Sequence, residues 1–244
     1  SDFTHEQGLH WYRHLPGLED DQKFYYVADM KLEYGDSNSY FYFNKWDHQL
    51  GPGINSLTLS NKIPSFFHFG LEWQLTENIH FTYFHGKLKS GITDSNYVDN
   101  YGTRPIDMAR NIVAHRLEWK PFKQIIISGS ESVLYANRFI DMTYLLPFVP
   151  FFSIQTYIGE TDNSFLSGDI QYQPNDNISI YGVVLVDDWS PPYTFHNNNN
   201  NKFCWQTGLE WNNIYLQNDR FQLEYNWTDH RIYHHRFKVN DYYS

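Results

Sequence analysis

The ten residues from Lys202 to Trp211, KFCWQTGLEW, interleave two different surfaces. Phe203, Trp205, Thr207, Leu209 and Trp211 fall on one face of an extended chain, and Lys202, Cys204, Gln206, Gly208 and Glu210 fall on the other. Successive side chains of a strand point to opposite sides, so the segment predicts a strand with one aromatic and one polar face. The pattern recurs. Ala28, Met30, Leu32 and Tyr34 alternate with Asp29, Lys31 and Glu33, and Phe69, Leu71, Trp73 and Leu75 alternate with His68, Gly70, Glu72 and Gln74. Near the other end, Phe221, Leu223, Tyr225 and Trp227 alternate with Gln222, Glu224, Asn226 and Thr228.

Composition decides which solvents the two faces meet. Aromatic residues make up 19% of the 244-residue chain, yet its mean hydropathy is -0.61. A water-soluble sandwich of this length would bury Val, Ile and Leu and would not need eight tryptophans. A transmembrane barrel reconciles the two numbers, because alternate residues face lipid or a wet lumen and aromatic girdles mark the interfaces. The expected fold class is therefore all-β, a transmembrane antiparallel up-and-down β-barrel of outer-membrane type, complete or partial, forming one domain over residues 1–244. At about 20 residues per strand and connection, the length supplies roughly ten to twelve strands. A porin needs about 16 to 18.

The most apolar stretch, Phe139 to Ile158, contains Asp141, Pro147, Pro150 and Gln155. A central Asp alone would cost roughly 2.5 to 3.5 kcal/mol in a membrane-spanning helix. The stretch is expected to be an irregular connection packed inside the barrel or across its mouth. The first residues, SDFTHEQ, show no charged segment followed by an apolar one, as expected if a signal peptide has been removed.

A net charge of -10 argues against nucleic acid, which draws on clustered Lys and Arg. One cysteine, Cys204, excludes a disulfide within the chain. No HExxH or Cys/His spacing, Gly-rich phosphate loop or GxSxG elbow occurs, so no metal or cofactor is expected. His234 and His235 diverge on a strand and suit a polar membrane rim better than a metal. Adjacent Asp187 and Asp188 diverge for the same reason, which favours strand termination or capping over a glycosidase pair. A Ser130 and His115 dyad is conceivable, but no motif supports it.

Arg116, Glu118 and Lys120 share a polar face, opposite His115, Leu117 and Trp119. With Glu210 and Glu224, Arg116 and Glu118 are expected to face the lumen, either bracing the wall through cross-strand pairs or lining a pore. The asparagine run Asn197 to Asn201 follows Pro191, Pro192 and Tyr193 and marks a long exposed loop. Aromatic rings can stack on sugars, and amides and carboxylates can bond their hydroxyls. Asp162, Asn163, Trp189, Tyr193, Asn197 and Asn198 are thus candidate glycan contacts.

Three blocks together resemble the Wzi-like capsule-assembly family of outer-membrane proteins. They are WDHQLGPGINSLTLS from Trp46, HRLEWKPFKQIIISGSESVLYANRFIDMTYLLPFVPFF from His115, and EYNWTDHRIYHH from Glu224. Between the last two lie Asp162-Asn163, Gly168-Asp169 and YGVVLVDDW from Tyr181 in matching order. Each block is short, and the ordered set is what carries the resemblance. It implies an outer-membrane barrel that binds capsular or other surface polysaccharide without a catalytic step, with outer-membrane lipid and polysaccharide as partners. Members of that family look longer, with further strands and helical periplasmic material. Either the barrel closes with fewer strands than those relatives or, the favoured reading, other strands in a longer chain or in partner chains complete the wall. A porin-like channel and a structural subunit of a larger assembly remain as alternatives.

Overall fold

The computed structural model describes residues 29–63, 65–95, 106–159, 161–187 and 201–241. Among them, ten strands form one antiparallel sheet in strict sequence order. These are β1 (Met30–Gly35), β2 (Ser39–Trp46), β3 (Phe66–Thr76), β4 (Ile79–Leu88), β5 (Arg110–Phe122), β6 (Ile125–Ala136), β7 (Asn163–Asn175), β8 (Ile178–Asp187), β9 (Lys202–Asn212) and β10 (Arg220–Thr228). The all-β, up-and-down architecture is the one the alternation predicts, and each quoted strand appears at its expected place. The sheet is not closed, since β1 and β10 each pair with one neighbour only. No helix among the described residues is long and apolar enough to cross a membrane, which says nothing of strands.

The connections are asymmetric. At one end, two-residue turns join β3 to β4, β5 to β6 and β7 to β8, a three-residue turn joins β1 to β2 and a seven-residue one joins β9 to β10. These turns use side chains that replace ladder partners. Asp36 accepts the amides of Asn38 and Ser39, and Asn175 accepts those of Asn177 and Ile178. The long connections all emerge at the opposite end.

Nine spacings of about 4.8 Å would make ten flat strands roughly 43 Å wide. The connection between β2 and β3 nevertheless reaches across most of that width. Thr58 Oγ1 bonds Ser167 Oγ on β7 at 2.9 Å, and the Ile54 amide donates to Glu224 on β10 at 2.8 Å. Its Leu50, Leu57 and Leu59 share one buried cluster with Phe84, Ile112, Leu134, Phe165, Leu185 and Cys204, contributed by β4 to β9 in turn. Only a sheet curled around the connection can bring so many strands to it. The connection therefore fills the concave face.

Small residues on that face make room for rings. A Cβ on Gly208 would stand 2.2 Å from the Tyr181 ring, and one on Gly86 would stand 2.4 Å from the Phe66 ring. Each ring lies flat over its neighbour strand, filling space that a larger inward residue would occupy.

The convex face is apolar and open. Leu32, Phe43, Phe67, Leu117, Ile170, Val184, Leu223 and Tyr225 are all exposed there. Beside the short turns this face is aromatic: Tyr34 and Phe41, Trp73, Trp119, Tyr172, and Trp211 with Phe221 flank the five turns in order.

One expectation is corrected. The stretch Phe139 to Ile158 does not enter the concavity. It forms a 3-10 turn, Met142–Leu145, and helix α1, Phe151–Ile158, and packs on the convex face. There Tyr144, Phe151 and Ile154 bury against Phe81, Tyr83, Val113, Val133 and Tyr135 of β4 to β6. The physical reason is local. His115 and Glu131 are outward residues of paired strands and would leave polar atoms on an otherwise apolar face. The excursion covers them: His115 Nδ1 donates to the Pro147 carbonyl at 2.8 Å, and Glu131 accepts the Phe151 amide at 2.6 Å.

Candidate functional site on the concave face

Inward positions of β7 to β10 recur every second residue, so their polar side chains converge where the curled strands approach the short turns. They line a cavity of about 630 Å³ with the in-folded connection as its roof. Gln171, Gln173, Asn175, Asn212 and Gln222 supply amides, and Tyr181 supplies a phenol. Glu210, Arg220 and Lys62 add charge. A second cavity of about 350 Å³ lies across the Gly51-Pro52 turn, lined by His48, Glu72, His80, Thr82, Arg116 and Glu118. Gln49, Pro52 and Gln171 border both.

The charged groups around these cavities are held by neighbours. Arg116 clasps Asp169 through two nitrogens at 2.6 and 3.0 Å, reaches Glu118 at 2.7 Å and donates to Ser130 at 3.1 Å. Glu210 accepts from Arg220 at 2.7 Å, Gln222 at 2.9 Å and Asn212 at 2.9 Å. Glu224 accepts from the Ile54 amide, from Asn55 Nδ2 at 2.9 Å and from the Tyr181 hydroxyl at 2.6 Å. Thus Arg116, Glu118, Glu210 and Glu224 all sit on the inward side, in cross-strand pairs or as an anchor for the connection. The cavities offer an array of amide donors and acceptors.

His48, in the in-folded connection, packs edge-on to Phe84 at 4.5 Å and 5.0 Å from the His68 ring. Burial, and secondarily His68, pushes its pKa down to about 4, so the imidazole is neutral at pH 7. Among the described residues no group of three or more His, Cys, Asp or Glu is placed to hold a metal ion.

The other sequence candidates fall elsewhere. His115 projects outward and Ser130 inward, because Arg116, not His115, is the register partner of Ser130. They form no dyad. Asp162 is buried beneath the convex excursion, held by Arg138 through both carboxylate oxygens and by the Tyr144 hydroxyl at 2.8 Å. Asn163 is buried too and donates to the Asn240 carbonyl at 2.9 Å. Both are packing groups, in place of the surface glycan contacts expected of them. Asp187 accepts the Tyr233 amide at 2.8 Å, a capping contact at the strand end. Trp189, Tyr193, Asn197 and Asn198 lie outside the described residues.

The residues that sequence reasoning missed are Gln171, Gln173 and Asn212. Their signal was the alternation itself, since they continue the inward sets of β7 and β9. Comparison with protein-family models, with curated proteins and with solved structures finds no match.

Proposed function

We propose that the chain is the wall of an outer-membrane β-barrel that binds surface or capsular polysaccharide without catalysis. The observation that carries the membrane part is the aromatic flank of every described short turn on a convex face that is otherwise aliphatic and exposed. Barrels place aromatic girdles at the interfaces, and bacterial ones keep their short turns on the periplasmic side. On that reading the long connections, including the asparagine run at 197–201, are extracellular. The ordered resemblance to the Wzi-like family supports the glycan part.

Among the described residues the outer edges of β1 and β10 are unpaired, which favours one addition to this reading. In hydrocarbon each orphaned backbone group costs several kcal/mol, so further strands must cover both edges, from this protein or a partner chain. The in-folded connection, with Leu50, Leu57 and Leu59 buried in the concavity, makes an open porin-like channel the weaker alternative.

Retention on immobilised capsular and surface polysaccharides tests the proposal. The parent protein is expected to bind. Deleting residues 193–201 measures the loop's share in the same assay. Failure of the parent to bind any surface polysaccharide of its own cell would overturn the glycan assignment.

A further inference from the structure

We infer that residues 137–159 form a lipid-embedded cap on the outside of the barrel wall, an intramembrane excursion with acyl chains as its partner. The inference rests on the wall being membrane-spanning, and the geometry of the excursion then fixes its environment.

The excursion leaves the wall at its long-connection end, where the Asn137 amide donates to the Ala109 carbonyl. It then runs down the convex face until the Phe148 ring meets Phe81 at 4.8 Å and Trp73 at 5.8 Å. Phe81 pairs with Leu117, seven residues along β5 from Arg110, the partner of Ala136. At ~3.3 Å per residue that is about 23 Å along the strand, or roughly 16–19 Å along the membrane normal at a tilt of about 35–45°, well past the middle of an apolar band ~25 Å tall. The chain returns through α1, whose Phe151 stacks on His115 at 4.2 Å.

Non-strand backbone survives at such depth only if its polar groups are satisfied by protein. Here the wall supplies the partners. Tyr83 donates to the Tyr144 carbonyl at 2.9 Å, Asn111 to the Arg138 carbonyl at 3.2 Å and His115 to the Pro147 carbonyl, while Tyr135 accepts the Asp141 amide at 3.0 Å and Glu131 the Phe151 amide. The outer surface of the excursion is mostly apolar: Phe139, Met142, Leu146, Phe148, Phe152 and Tyr157 are all exposed, beside the small polar side chains of Ser153 and Thr156, the latter bonded to the Phe152 carbonyl. Asp141 is the one charged residue between Phe139 and Ile158, and Arg138 pairs with it at 3.0 Å. The exposed side chains continue the apolar convex face without a charged break.

Nitroxide labels test this in the full chain reconstituted into phosphatidylethanolamine/phosphatidylglycerol liposomes. Cys204, the chain's one cysteine, is buried and is replaced by Ser, and single cysteines are placed at Met142 and Phe152. Leu223 on the wall and Asn177 in a short turn serve as references. Labels at 142 and 152 are expected to match 223, reached by oxygen several-fold more readily, relative to a water-soluble nickel chelate, than the label at 177. If 223 reads as lipid-exposed while 142 and 152 admit the chelate as 177 does, the cap is in water and the inference falls alone. If neither reagent reaches 142 and 152, protein covers them, a second copy or a partner, and the inference again falls. Chelate access at 223 as well would overturn the membrane reading beneath it.

Discussion

Arg116→Ala is expected to destabilise the fold by about 3–5 kcal/mol, the cost of stripping one partner from a buried ion pair. Both side chains are almost wholly inaccessible, Arg116 at 4% and Asp169 at 1%. Removing the guanidinium leaves the Asp169 carboxylate facing β5 without its two charge-assisted bonds, and leaves Ser130 and Glu118 without their shared donor. Urea denaturation of the protein in detergent micelles checks the figure. The paired substitution Arg116→Ala with Asp169→Ala should cost less than the sum of the single ones, because no charge is then left unpaired. Equal and additive losses would mean that the two groups do not act as a pair.

Gly53→Ala is expected to unseat the in-folded connection. Gly53 has φ +95°, a backbone conformation that costs a non-glycine residue roughly 1–3 kcal/mol. A Cβ there would also stand 2.8 Å from Glu224 Oε2, 3.0 Å from the Tyr181 hydroxyl and 3.1 Å from Gln206 Nε2. These are the ends of side chains and can move aside, but moving Glu224 gives up its bonds to Ile54 and Asn55. The losses concentrate where Glu224 holds Ile54 and Asn55, so the connection should loosen before the sheet does. Proteolysis reads this directly: faster cleavage within residues 47–62, with strand content unchanged by circular dichroism, is the expected result. Unchanged protection would show that the connection tolerates a side chain at its tightest contact.

Much of this was legible in the sequence because a strand's period of two is unambiguous where one face is aromatic. The alternation at Lys202 to Trp211 gave both the strand and its faces, and the inward placement of Glu210 and Glu224 followed from the same parity. What parity cannot encode is where a connection goes. Leu50, Leu57 and Leu59 were visible as apolar residues on either side of a GPG turn, but their burial depends on a concavity built by strands far along the chain. The stretch after Phe139 posed the opposite problem, since its apolar residues and prolines fit a cap on either face of the wall. Its position was hinted at by His115 and Glu131, two polar residues facing outward in adjacent strands. Asp162 looked like a loop residue for want of that same fact, because Arg138 and Tyr144 of the cap hold it, and Asn163 because its partner, Asn240, lies far along the chain.

Tryptophan fluorescence tests the central claim, that the convex face meets lipid. Trp73, Trp119, Trp205, Trp211 and Trp227 all project outward, each 38–50% exposed. With Trp11, Trp46 and Trp189 replaced by Phe so that these five alone emit, emission in bilayers of brominated phosphatidylcholine should be strongly quenched compared with unbrominated bilayers, while aqueous iodide should have little effect. Emission indifferent to the bromines and quenched by iodide would place the convex face in water and contradict the account.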